Sequence, residues 1–383
     1  MPLKRKLRRV CFVTGTRAEF GLMESTLRAI AKDRGLALQL VVTGTHTHRS
    51  RGRTVDEIRR AKCRIDRVIE WEDSSNSAVI ARETGRVTAA LVDTFEKLRS
   101  DVVLVVGDRV EAFAAATAAH LSGRVVAHVH GGDRAMGQAD DSLRHAISKL
   151  AHLHFPATAQ SAERLYQLGE ERSRIVVAGA PGIDGILRAA ASRAIMRKVG
   201  LDYAPGFFTL LLLHPTDDRI DAERKRTELL IKALRSDSAR PIVALLPNND
   251  PGAVGIADAL QQAAARGEIH LYTHASRRLF LGLMRDCRVL VGNSSAGIIE
   301  AGSFATPVVN IGPRQQGRER GSNVIDASFS TPSIRSALVK AVAIKPTRVA
   351  DNPYDRGGAG PRIATALSRV RLDAEFRRKL IRY

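Results

Sequence analysis

Short runs of Val, Ile and Leu alternate along the chain with longer segments whose apolar residues recur every three or four positions. The short runs read as buried strands and the longer ones as amphipathic helices, an alternation that predicts an α/β fold with parallel sheets. In the first half the expected strands are Val10–Thr14, Leu38–Thr43, Val102–Val106, Val125–Val129, His154–Ala157 and Ile175–Ala178. After the first of them, Met23, Leu27 and Ile30 mark one face of a helix. A second series restarts with Phe207–Leu213 and continues through Ile242–Leu246, Ile269–Tyr272, Val289–Val291 and Val308–Ile311. A polar, Arg-rich helical stretch around Leu187–Arg197 separates the two series. Two doubly wound, Rossmann-like domains are therefore expected, over 1–190 and 191–383, with a ligand cleft between the carboxyl ends of their sheets.

Composition narrows the function classes. A chain of 383 residues can bury two sizeable cores. Its formal net charge of +20 invites a nucleic-acid reading, but the cations are scattered, with short clusters only at Lys4–Arg9 and Arg224–Arg226. Aromatics make up 4%, too few for a stacking platform, so no nucleic-acid partner is expected. Cys11, Cys63 and Cys287 lie far apart without metal or redox spacing. The basic amino terminus lacks a long apolar stretch, and no run is long enough to span a bilayer. A cytoplasmic protein with no membrane partner is expected.

The loops after the strands carry the candidate chemistry. Gly292-Asn293-Ser294-Ser295-Ala296-Gly297-Ile298-Ile299-Glu300 turns a buried strand into a helix, a seat for a phosphate, with Glu300 in the helix's first turns as an acceptor for ribose hydroxyls. Asn and Ser before a helix are also ordinary caps. Gly15-Thr16-Arg17 opens the first helix and offers backbone and guanidinium to an anion, without being a G-x-G-x-x-G or Walker loop. Gly107-Asp108-Arg109 and His128-Val129-His130-Gly131-Gly132-Asp133 end adjacent strands, and Asp140-Asp141-Ser142-Leu143-Arg144-His145 opens a helix. Asp108, His130, Asp133, Asp140 and Asp141 thus converge as candidate general acids and bases. A plainer reading makes one of Asp140 and Asp141 a helix cap and pairs Arg144 with the other, leaving His152 and His154 as satisfied core histidines. His128, His130 and Asp133 form a weak metal pattern, and no metal is expected. In the second half, His214 ends a strand before a Pro, Pro247-Asn248-Asn249-Asp250-Pro251-Gly252 reads as a turn, and Arg314-Gln315-Gln316-Gly317-Arg318 adds cations.

These segments, together with Thr14–Gly21, Asp140–Leu150 and Asn310–Arg318, resemble the UDP-N-acetylglucosamine 2-epimerases, in particular the hydrolysing branch that feeds sialic and related nonulosonic acid synthesis. The resemblance runs over nearly the whole chain. It implies a GT-B fold, a last helix near Asp373–Ile381 crossing back to the first domain, a homodimer, a UDP-sugar substrate, and no metal or redox cofactor. By position it makes Arg17, His214, Ser294, Ser295 and Arg314 diphosphate contacts and Glu300 the ribose contact. Asp108 and Asp140 fall on the family's catalytic carboxylates. His130, Asp133 and His214 join them as catalytic candidates, and Arg109, Asn249 and Gly297 join the binding set. The implied reaction removes the proton at carbon 2, eliminates UDP and adds water, releasing the free 2-epimer. Substrates in view are UDP-N-acetylglucosamine and UDP-diacetylbacillosamine.

One departure stands out: the hydrolysing branch usually has Glu at the position of Asp133, and the animal type has Glu at that of His130. The shorter Asp withdraws its carboxylate by ~1.5 Å, a displacement that can cost about a hundredfold in rate. The segment Thr45-His46-Thr47-His48-Arg49-Ser50 is also unusual and sits where substrate specificity could be altered. Competing expectations are a GT-B glycosyltransferase, a non-hydrolysing epimerase, and a non-catalytic UDP-sugar-binding protein.

Overall fold

Runs such as Val102–Val106 have no polar alternation because helices cover both faces of the sheet that contains them. The computed structural model describes residues 7–48, 54–60, 63–74, 76–134, 140–237, 240–247, 252–273, 275–344 and 351–382, without the side chains of Glu57, Arg60, Asp140 and Asp237. In chain order the first sheet and its helices are β1 (Arg8–Thr14), α1 (Arg17–Lys32), β2 (Leu36–Val42), α2 (Val55–Arg60), β3 (Arg67–Val68), α3 (Ser77–Leu98), β4 (Val102–Val106), α4 (Val110–Leu121), β5 (Val125–Val129), α5 (Asp140–Leu150), β6 (Leu153–Phe155) and α6 (Ala159–Gln167). The second series is α7 (Ile186–Ala189), α8 (Arg193–Lys198), β7 (Thr209–Leu212), α9 (Ile220–Asp237), β8 (Ile242–Leu245), α10 (Ala253–Ala265), β9 (His270–Tyr272), α11 (Arg277–Asp286), β10 (Val289–Gly292), α12 (Ser295–Ile299), β11 (Val308–Ile311), β12 (Val324–Ala327) and α13 (Thr331–Ala343). Then follow α14 (Ala359–Arg369) and α15 (Ala374–Arg377).

Both sheets are six-stranded, ordered β3-β2-β1-β4-β5-β6 and β9-β8-β7-β10-β11-β12. Every strand pair is parallel. These are two copies of the Rossmann order, whose direction reverses between β1 and β4 and again between β7 and β10. Ligands of such sheets bind outside the carboxyl ends at that reversal, where the Gly15, Gly107, His214 and Gly292 loops fall, while the His130 and Arg314 loops end the neighbouring strands β5 and β11.

The chain divides into two compact units. One takes in Met1–Asp133, Gln138–Asp184 and Tyr354–Tyr383, and the other Arg134–Gly137 and Gly185–Pro353. Within the first, β1 sends Val10 and Phe12 to a core with Met23 and Leu27 of α1 and Ile363 and Leu367 of α14. Cys11 and Val13 point the other way, against Val87, Leu91 and Phe95 of α3. Burial pushes the Cys11 thiol up to about 12, so it stays protonated and inert. Asp184 accepts from Ala359 N–H at 2.9 Å and Gly360 N–H at 2.7 Å, capping α14. Where a helix near Asp373–Ile381 was expected there is the single turn α15, and the helix that packs on α1 is α14.

Expected strand Ile175–Ala178 does not form as one. It makes a single bridge, Ile175 to His154, and runs on as extended chain. The short edge strands β3 and β12 were not anticipated, because two residues and a polar-flanked Val324-Ile325-Asp326-Ala327 carry little periodicity. Phe207 lies outside β7 and is exposed.

Candidate active site

The turn from β1 into α1 is held by a capping box. Thr16 Oγ1 accepts from Glu19 N–H at 3.2 Å, while Glu19 Oε2 accepts from Thr16 N–H at 3.0 Å and Gly15 N–H at 2.7 Å. The Gly15 and Thr16 N–H groups expected to face an anion are therefore already taken, and half-buried Arg17 is what this loop offers. Burial, reinforced by Glu111 and opposed by Arg109, raises the Glu19 carboxyl to about 7. Arg109 itself turns to Glu111, Nε to Oε2 at 3.2 Å. A Cβ on Gly15 would stand 2.7 Å from the Glu111 side chain, so only glycine fits there. The segment after β2 is tied to the same turn: Thr45 Oγ1 donates to the Gly15 carbonyl at 3.1 Å. His46 lies between the Thr14 and Thr54 hydroxyls at 3.2 and 2.9 Å, and burial lowers its imidazole to about 4. His48 contacts the Trp71 carbonyl at 3.1 Å. Hydrogen bonds thus anchor both histidines in the fold; Arg49 and Ser50 lie outside the described residues.

Asp108 follows β4 and is one-fifth exposed. Its Oδ2 accepts from Arg144 Nη2, and Arg144 Nη1 donates to the His130 carbonyl at 3.2 Å. Arg144 is thus Asp108's partner, whereas the sequence suggested Asp140 or Asp141. Asp141 instead faces His145, 3.5 Å away on the next turn of α5. Asp140 begins α5, and its side chain lies outside the described residues. His128 is fully buried, with Nε2 donating to the Gly107 carbonyl at 2.7 Å and Nδ1 accepting from Ser148 Oγ at 3.0 Å. Burial lowers it to about 3, so it is a neutral brace for the Asp108 loop and has no lone pair left for a metal.

His130 directly follows β5 with φ of 63°, a left-handed conformation that a non-glycine residue adopts at a cost of about 1–3 kcal/mol. Its Nδ1 lies 2.9 Å from Asp133 Oδ2, and Asp133 Oδ1 accepts from Ser161 Oγ at 2.8 Å. Asp133, expected as a catalytic carboxylate, is buried and directed at His130 and Ser161. His152 Nδ1 accepts from Val126 N–H at 3.1 Å, and His154 Nε2 donates to Glu170 at 2.9 Å while its buried Nδ1 has no hydrogen-bond partner among the described residues, so the expectation of a satisfied core histidine holds only in part for His154.

In the second unit Asn293 ties the two loops that flank the strand-order reversal. Its Oδ1 accepts from His214 N–H at 2.7 Å and its Nδ2 donates to the His214 carbonyl at 2.8 Å. The Asn293 carbonyl accepts from Gln315 Nε2 at 2.8 Å and Arg314 Nη1 at 3.3 Å. One buried amide thus gathers His214, Arg314 and the Ser294 loop. Gly292 has φ of 140°, and a Cβ there would meet the Leu212 carbonyl at 1.9 Å, so close approach of β7 and β10 requires glycine. Ser294 is the N-cap of α12, and Ser295 its first residue. Gly297 turns toward Leu290 and Val308, where an added Cβ would be 3.2 Å from each, and its N–H goes to the Ser294 carbonyl at 3.1 Å. Its lack of a side chain serves helix-to-sheet packing. Glu300 is the C-cap of the short α12 and receives Arg277 Nη1 at 2.7 Å. Asn249 lies outside the described residues.

Sequence reasoning did not find Ser161, Glu111 or the Arg144–Asp108 pair, which join residues far apart in the chain or buried by the fold. The Thr16-x-x-Glu19 spacing of the capping box was available in the sequence.

Two Rossmann-ordered units in one chain are the architecture of the GT-B fold. The family model described as UDP-N-acetylglucosamine 2-epimerase matches residues 28–368, and the chain belongs to that family. It is 35% identical over 380 residues to a UDP-N,N'-diacetylbacillosamine 2-epimerase (hydrolyzing) of Legionella pneumophila, covering 98% of this chain and 100% of the relative. It is 32% identical to a UDP-N-acetylglucosamine 2-epimerase of Neisseria meningitidis over 88% of each. A Neisseria meningitidis UDP-GlcNAc 2-epimerase bound to UDP-GlcNAc shares the fold at a TM-score of 0.80 and 21% identity, over 94% of this chain and 99% of that one.

Proposed function

We propose that this chain is a hydrolysing 2-epimerase that converts a UDP-linked 2-acetamido sugar and water into UDP and the free 2-epimer. The observation that carries the proposal is the cluster at the ends of the adjacent strands β4 and β5, where Asp108 is set by Arg144 and His130 by Asp133. Full-length likeness to the hydrolysing Legionella pneumophila enzyme favours hydrolysis over retention of UDP. In the elimination step a base takes the proton from carbon 2, its electron pair forms the carbon 1–carbon 2 double bond, and the carbon 1–oxygen bond to UDP breaks. Hydration then places hydroxyl on carbon 1 and a proton on the other face of carbon 2. Asp108, His130 and Asp140 supply the acid and base. Arg17, His214, Ser294, Ser295 and Arg314 offset the charge of the departing diphosphate, and Glu300, oriented by Arg277, receives the ribose hydroxyls. The same proposal includes a cytoplasmic homodimer, as the family resemblance implies.

The test is to incubate the purified protein separately with UDP-N-acetylglucosamine and UDP-N,N'-diacetylbacillosamine, measuring released UDP and identifying the sugar by chromatography. Stoichiometric UDP and free 2-epimer from at least one of them is expected. A product sugar still linked to UDP would exclude the hydrolysing reading in favour of a non-hydrolysing epimerase.

A further inference from the structure

Asp133 sits three residues after His130 in a turn that the fold closes tightly. Gly132 has φ of 76°, and a Cβ on it would stand 2.1 Å from the Ser161 carbonyl, so the start of α6 lies directly against this turn. That contact delivers Ser161 to Asp133. Ser161 Oγ accepts from Thr158 Oγ1 at 2.9 Å and from Arg164 Nη1 at 3.3 Å. With its oxygen so occupied, its own proton goes to Asp133 Oδ1, 2.8 Å away. The other carboxylate oxygen faces His130 Nδ1 at 2.9 Å. A carboxylate only accepts, so the proton between Asp133 and the ring sits on His130 Nδ1.

We infer that Asp133, oriented by Ser161, is a positioning residue that fixes His130 as the Nδ1–H tautomer and so presents the Nε2 lone pair as the proton acceptor of the elimination step. The inference rests on the proposed reaction for the task of Nε2, whereas the proton on Nδ1 follows from the hydrogen bond to the Asp133 carboxylate. When Nε2 takes the carbon 2 proton the ring becomes an imidazolium, and its Nδ1–H charge faces the Asp133 carboxylate. This is the task a buried Asp performs behind a catalytic His in serine proteases, reached on an unrelated fold. It also accounts for Asp where the family resemblance leads one to expect Glu: the carboxylate's targets are His130 and Ser161, both within the reach of the shorter side chain.

The test is long-range 1H–15N NMR of the full chain labelled with 15N-histidine, with steady-state kinetics on the sugar nucleotide that it turns over. The unmodified protein is expected to show His130 protonated on Nδ1. In Asp133→Asn the Ser161 hydroxyl holds the amide carbonyl, the NH2 turns to His130, and the ring is expected to switch to Nε2–H. Turnover then falls about a thousandfold with KM within threefold. Adding Ser161→Ala to Asp133→Asn frees the amide to rotate and is expected to restore a measurable Nδ1–H population. Asp133→Glu is expected to keep Nδ1–H and at least about a tenth of the turnover, the rescue that a merely structural role would not give. An Nε2–H ring in the unmodified protein, or an unchanged tautomer in Asp133→Asn, overturns the inference; should that variant not fold, the unmodified protein and Asp133→Glu still decide it. The predicted tautomers without turnover of either sugar nucleotide would count against the proposed reaction and leave the positioning role standing.

Discussion

Replacing Asp108 by Asn is expected to lower turnover by about a thousandfold or more, within the range that a lost general acid or base costs, while UDP affinity stays within threefold. The side chain is nearly isosteric, so the loop held by His128 through the Gly107 carbonyl keeps its shape. What disappears is the carboxylate that Arg144 fixes beside the His130 carbonyl. Titration calorimetry with UDP alone separates the two readouts, since the proposed diphosphate contacts apart from Arg17 lie in the other unit. Near-normal turnover in Asp108→Asn would remove Asp108 from the chemistry. A parallel loss of UDP affinity would mean that its task is ligand binding.

Replacing Glu170 by Ala is expected to cost about 3 kcal/mol of stability, because it strands the buried Lys379 ammonium without its carboxylate. Glu170 is fully buried, with Oε1 on Lys149 Nζ at 2.8 Å and Oε2 on His154 Nε2 at 2.9 Å and Lys379 Nζ at 2.7 Å. Lys379 also donates to the Ser148 and Lys149 carbonyls at 2.9 and 2.7 Å, tying the chain beyond α15 to the end of α5, the helix that carries Arg144. Burial pushes the Glu170 carboxyl up, but the hydrogen bonds from His154, Lys149 and Lys379 outweigh it and hold the group at about 2. A depressed carboxyl stabilises the fold above its unfolded value and loses that contribution as pH falls toward its folded one. Denaturant unfolding should therefore show the gap between the unmodified protein and Glu170→Ala shrinking as pH drops from about 4.5 to about 2. A gap that is small at pH 7, or that stays constant across this window, would contradict the network's role.

The sheets were legible wherever a strand is buried on both faces. Val102–Val106 and Val125–Val129 form as their apolar runs predict, since such runs are dictated by burial alone. Edge strands β3 and β12 escaped because two residues and a polar-flanked Val324–Ala327 carry little periodicity, whereas the other edges, β6 and β9, were legible. Ile175–Ala178 misled for the opposite reason: it is apolar and partly buried, yet it meets β6 through a single bridge. In the site, strand-end positions marked Asp108 and His214 as loop residues at the order reversals and His130 as one on the next strand, β5, but sequence does not say what each side chain faces. Arg144 stands 36 positions from Asp108, and Ser161 stands 28 from Asp133, so those pairs exist only once adjacent strands have brought their loops together. Glu300 was placed by counting along a helix that in fact ends at Ile299, where it turns to Arg277.

The most direct test of the account is proton NMR of the reaction in deuterium oxide, with UDP-N-acetylglucosamine and UDP-N,N'-diacetylbacillosamine offered in turn. Elimination followed by hydration predicts release of UDP together with a free 2-epimer carrying deuterium at carbon 2. A free sugar that keeps its original proton at carbon 2, or an epimer still attached to UDP, would contradict it.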